Sequence, residues 1–362
     1  MSPKRTAAKL FRLFPKLKQP LALAILVLCF GAAIFWFSAV RSWRPVHEIE
    51  PPSIADDTAR AEACRYRRAL DGRCVAALAE TAEPVVAVMI ENHPEARPLS
   101  GLAQAAVVYE APVEANITRF LAIYPLNQPV SKAGPVRSAR PYYLDWVEEY
   151  GQPLYMHVGG SPAALDGVRE RGILSINEFY RDWYFWRGRE RRAPHNTYTS
   201  RDLWERAYND YGQGAAVLSS STWQFTDEPA CEADCVRTVT ASFLPPVYEA
   251  IWEYSTTTGR YARYQAGEPH RDEDGTAIMA DTVIVERVTK RVLDSTGRLE
   301  LGTMGGGEAL IFRDGRLRAG RWSKTEPGKR TEWLDESGQP IPLRAGVIWV
   351  EVVPSDGRVN YE

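Results

Sequence analysis

Two arginines three residues apart, Arg137 and Arg140, stand between prolines in Gly134-Pro135-Val136-Arg137-Ser138-Ala139-Arg140-Pro141. Each proline fixes its own φ and pushes the residue before it away from the helical region, so Arg140 is expected to be extended and a helix to begin at Pro141. Planar guanidinium forks beside first-turn amides make an anion site suited to a carboxylate or phosphate. The same groups serve equally well as structural partners of the chain's own acids. Around them, Glu110, Glu114, Arg119, His157, Asp182, His195 and Asn196 are the polar groups expected at one cleft if the strand ends converge. Arg119, Arg137, Arg140, Glu114, His157, Asp182 and Asn196 are the expected ligand-binding set. Glu110 and His195 are the pair that could divide acid and base roles. No metal site and no cofactor are expected, because His93, His157 and His195 have no ligand spacing.

Two further stretches border these residues. Gly159-Gly160-Ser161-Pro162 is a strand-to-helix joint whose serine could be a nucleophile. It lacks the Gly-x-Ser-x-Gly pattern of a nucleophile elbow, and the N-cap role is favoured. Residues 178–199 interleave arginines with aromatics and show neither helical nor strand period. Such a loop binds single-stranded nucleic acid, stacks on sugar rings or caps a cleft.

The elements that must position these groups are α/β in character. Apolar runs at 85–91, 105–110, 117–124 and 154–158 predict strands, and helices are predicted over 141–150, 162–171 and 201–211, the last capped by Ser200. After Gly212 the chain turns to short alternating strands and Gly-containing turns. The expected fold class is α+β or α/β, with a mixed, sandwich-like α/β domain over 85–213 and a β-rich domain over 214–362. Asp272 to Gly275 is read as a plain turn, since it lacks the remaining ligands of a calcium loop.

The N-terminus decides location. Leu21 to Val40 is twenty residues without a charge, and at ~1.5 Å per residue it crosses a hydrocarbon core of ~30 Å. Lys4, Arg5, Lys9, Arg12, Lys16 and Lys18 precede it with no acid among them, which keeps that side cytoplasmic. Residues 1–20 are thus expected to be a cytoplasmic tail and 21–40 a retained transmembrane anchor. Residues 41–84 are read as a stalk holding a short helical hairpin, and everything from 41 on as extracytoplasmic. Removing the six tail cations from the net charge of −2 leaves −8, a balance that argues against nonspecific binding of nucleic acid. The cysteines outside the anchor form two close pairs, Cys64 with Cys74 and Cys231 with Cys235. In an oxidising compartment the simplest pairing is two nearest-neighbour disulfides.

Several words of the sequence carry a resemblance. Met89 to Pro98, Val108 to Glu114, Ile117 to Phe120, Gly134 to Arg140 and Ala193 to Asn196 resemble the YerB family of bacterial lipoproteins. His270 to Gly275, Val283 to Glu286 and Gly320 to Lys324 are similar to that family's second domain. The resemblance implies a two-domain envelope protein and names no activity, with a transmembrane anchor here where the family carries a lipobox. The function expected is an envelope protein whose arginine and aromatic cleft binds an anionic or sugar-containing ligand. The alternatives are an envelope hydrolase or transferase using Glu110 and His195, and a structural protein without ligand.

Overall fold

Strands that are buried on both faces read as continuous apolar runs, and three such runs form the middle of the protein. In a computed structural model that describes residues 64–218 and 223–362, these are Val85–Glu91 (β1), Val107–Pro112 (β2) and Thr118–Pro125 (β3), each buried along its whole length. Leu154–His157 (β4) and Ser175–Asn177 (β5) extend the sheet on one side. From the C-terminal half come Thr282–Val288 (β9), Gly305–Arg313 (β10), Arg316–Lys324 (β11), Glu332–Leu334 (β12) and Ile348–Pro354 (β13). Together they make one ten-stranded sheet in the order β12-β11-β10-β9-β13-β2-β3-β1-β4-β5. The two expected domains therefore share a sheet, joined where β13 runs parallel to β2 with Glu351 opposite Glu110.

A second, six-stranded sheet contains Thr238–Leu244 (β6), Tyr248–Ser255 (β7), Arg260–Gln265 (β8) and Arg358–Tyr361 (β14). It buries Val239, Trp252 and Tyr261 in the same core as Val283, Trp349 and Phe120 of the large sheet. On the opposite face of the large sheet lie Pro141–Val147 (α1) and Pro162–Glu170 (α2), which bury Tyr143, Trp146, Ala164 and Val168. Arg201–Tyr211 (α3) inserts Trp204 and Ala207 into the first core. Both Pro141 and Pro162 occupy the first helical turn as expected, and Ser161 caps α2 through the Ala164 amide at 3.4 Å. Ser200 makes no side-chain cap bond.

The tail, the anchor and residues 41–63 of the stalk lie outside the described residues. Among the described residues no helix is long and apolar enough to cross a membrane. The remainder of the stalk corrects its reading as a spacer with a helical hairpin. Tyr66–Arg67 and Cys74–Val75 pair antiparallel across the Asp71-Gly72 turn, and Leu70 is buried. The Arg330 guanidinium holds the Ala69 and Leu70 carbonyls at 2.9 and 3.0 Å. Both expected disulfides, Cys64–Cys74 and Cys231–Cys235, are present.

Beneath the helices, Glu149 accepts hydrogen bonds from Lys324 at 2.5 Å and Thr331 at 2.7 Å. Glu286 lies in the same core, with the Trp333 indole N–H at 2.8 Å. Burial, reinforced by the Glu149 charge, raises the Glu286 carboxyl to about 8. Its folded pKa is above the unfolded value, so its contribution to stability is fully present at acid pH and falls as pH rises towards 8. Glu286→Gln keeps the acceptor for Trp333 and removes the titration. The variant should melt above the parent at pH 8, with the difference shrinking towards pH 4.5. A difference that does not change with pH would contradict the assignment.

Candidate functional site

β1, β2 and β4 all point their carboxyl ends the same way, and the expected residues collect beyond those ends. The loop carrying the two arginines runs across this edge. Its Arg137 amide donates to the Met89 carbonyl at 2.8 Å, and the Arg137 carbonyl accepts from Val158 at 3.0 Å. Gly134, at φ +141°, is needed for the approach, because a Cβ there would sit 2.8 Å from the Thr197 carbonyl oxygen. Gly159 (φ +59°) serves similarly, lying under the Phe179 ring and accepting from the Ala139 amide at 3.0 Å.

Arg140 grips Glu114 with two bonds, Nε to Oε1 at 2.6 Å and Nη2 to Oε2 at 2.8 Å. Burial works to raise the Glu114 carboxyl, but Arg140 holds it below the usual range. Arg137 donates to Glu91 at 2.9 Å, and the other Glu91 oxygen meets His195 Nδ1 at 2.9 Å. Both arginines thus have carboxylate partners, as the structural alternative expects.

Arg119 differs. It is 7% exposed, donates one bond to the Ser138 carbonyl at 2.6 Å, and has no carboxylate within ion-pair distance among the described residues. Burial, with Arg140 and Arg137 nearby, lowers its pKa to about 10. A buried cation pressed by two others is the kind of group that a nearby anion stabilises.

The remaining expected residues divide. His157 is fully buried; its Nδ1–H donates to the Gly159 carbonyl at 2.7 Å and Nε2 accepts from the Ser175 hydroxyl at 2.7 Å. Burial lowers its pKa to about 4, so it is a neutral strut of the loop and not a ligand group. Asn196 is also structural, bonded to Arg187 and the Gly188 carbonyl. Asp182 is exposed at the start of a short turn, and no contact joins it to the arginines among the described residues.

Glu110 corrects the acid–base pair. It is 0% exposed and accepts from Arg263 at 2.5 Å, Thr118 at 2.6 Å and Asn92 at 3.3 Å. His195 contacts Glu91, Glu95 and His93 instead, so the two share no partner among the described residues. Glu91 and Glu95 are not among the residues that the sequence singles out, and His93 is considered there only as a metal ligand without supporting spacing; all three meet His195 in the structure. Their signal is position: Glu91 ends the first strand of a sheet whose strand ends carry the candidate site, and His93 and Glu95 follow in the turn after it.

This chain matches two family models, the N-terminal domain of "Protein of unknown function (DUF3048)" over residues 72–213 and its C-terminal domain over 239–350. It is 31% identical over 277 residues to "Putative lipoprotein YerB" of Bacillus subtilis (strain 168), covering 74% of this chain and 81% of that one. The chain belongs to the YerB family. The crystal structure of YerB from Bacillus subtilis is similar in fold, with a TM-score of 0.71 at 27% identity, covering 82% of this chain and all of that one. The family likeness therefore spans the shared sheet and both of its halves.

The two kinds of arginine differ in their effect on stability. Arg140→Gln strands Glu114 and should cost about 1–3 kcal/mol. Arg119→Met removes a buried cation that has no acidic partner among the described residues while keeping most of its volume, and should cost less than Arg140→Gln or stabilise the protein. Thermal melts of both variants measure this. The reverse order would show that Arg119 is paired in solution.

Proposed function

We propose that the protein is a membrane-attached extracytoplasmic binding protein whose ligand is an anionic, sugar-containing component of the cell envelope. The observation that carries this reading is Arg119, a buried guanidinium with no acidic partner among the described residues, beside Arg137 and Arg140. A carboxylate or phosphate oxygen between Arg119 and Arg137 supplies the missing charge and takes up their free donors. The aromatic loop abuts this place through Phe179 over Gly159. Phe179, Tyr180 and Trp183 are exposed there, as rings that stack on a sugar must be. Attachment outside the membrane rests on the charge asymmetry around residues 21–40, on the two disulfides, and on the lipoprotein name of the Bacillus relative.

The test is a ligand-induced thermal shift of the full-length protein in detergent, with phosphate, citrate and soluble muropeptide as probes. At least one should raise the melting temperature of the parent and none that of Arg119→Gln. No shift in the parent, or an equal shift in the variant, would remove the binding reading. Topology is read separately: protease added to intact spheroplasts should digest the large domain, and full protection would reverse the orientation.

A further inference from the structure

The geometry points to a divalent transition-metal site of the zinc type at His93, Glu95 and His195, with Glu91 as the positioning residue for His195. One ligand atom from each of the three lies within 4.8 Å of the others. Two imidazoles and a carboxylate are a donor set that zinc accepts, leaving a fourth position for water or an anion.

Proton counting at His195 supports the site. Its Nδ1 is 2.9 Å from a Glu91 oxygen and its Nε2 is 3.2 Å from a Glu95 oxygen. A neutral ring carries one proton and ionised carboxylates only accept, so one of the two contacts is unserved unless a second proton or a metal ion is supplied. With a metal, Nδ1–H donates to Glu91 while the Nε2 lone pair and Glu95 face the ion. This is the carboxylate–histidine–metal relay by which an outer acid fixes a ligand's tautomer and orientation. Glu91 is itself held, buried, by Arg137.

Local backbone places the other two ligands. His93 precedes Pro94, which keeps it extended and opens the Pro94–Ala96 turn that carries Glu95. The His93 ring stacks on His195 at 4.9 Å and 18°, and its Nδ1 accepts the Glu95 amide at 3.2 Å. Parallel rings cannot both aim at one ion, so binding requires the half-buried His93 ring to turn out of the stack, while Glu95 is already exposed.

Cobalt titration of the full-length protein, followed by visible absorption, tests the proposal. The parent should develop the intense bands of a four-coordinate ion, and micromolar zinc should displace them and raise the melting temperature. Glu95→Gln changes a side chain that is 73% exposed and so leaves folding intact; it should weaken binding at least tenfold. Glu91→Gln, acting through His195, should weaken it by roughly 10–100-fold. No cobalt bands in the parent, or unchanged affinity in Glu95→Gln, would overturn the site. The inference is independent of the anion reading: Arg119→Gln should bind cobalt as the parent does, and Glu95→Gln without metal should keep any anion-induced shift.

Discussion

The architecture depends on one buried arginine. Arg263, on β8, reaches across the first core to Glu110 on β2 and lies 3.9 Å from Glu351 on β13, with the rings of Phe120, Trp252 and Trp349 around it. Two carboxylates facing one guanidinium carry an excess negative charge that such a core does not tolerate. Burial and the Glu110 charge push the Glu351 carboxyl well up, which favours its protonated form and relieves that excess. The cluster also fixes register, since a one-residue slip of β13 against β2 would turn Glu351 to the other face. From there the constraint runs outward: Glu110 bonds Asn92, and Asn92 bonds Thr118 and Arg97, which places both the start of β3 with Arg119 and the His93 turn.

Much of this was legible in the sequence because it is local. The apolar runs at 85–91 and 117–124, the prolines opening α1 and α2, the Ser161 cap and both disulfides depend on residues close in the chain, where period and turn chemistry speak directly. What could not be read was anything set by pairing over long separations. The insertion of β13 beside β2 joins residues more than two hundred positions apart, and nothing in either strand's composition names its neighbour. For the same reason Glu110 reads in the sequence as a cleft acid. A glutamate within an apolar strand run carries the same letter whether it faces water or a buried arginine, and Arg263 lies in the other half of the chain.

The candidate site shows the same division. The convergence of Arg119, Arg137, Arg140 and His195 on one edge follows from strand ends that point together. Which arginine keeps an acid and which does not was decided by the Glu114 turn and by the end of β1. His157 lies on the strand that the apolar run at 154–158 predicts, but its role is set by the Ser175 hydroxyl on the neighbouring strand, eighteen residues on. The site is thus a rigid floor, held by the seam and by His157, beneath an exposed aromatic loop and a cation without an acidic partner among the described residues.

Arg119, a buried cation with no acidic partner among the described residues, is read as a place for an oxyanion. Crystals of the protein grown with selenate locate such an anion by its anomalous signal. A peak is expected within hydrogen-bond distance of the Arg119 and Arg137 guanidinium groups, under the aromatic loop. Selenate confined to exposed lysines and arginines elsewhere, with the Arg119 side chain unoccupied and unmoved, would contradict it.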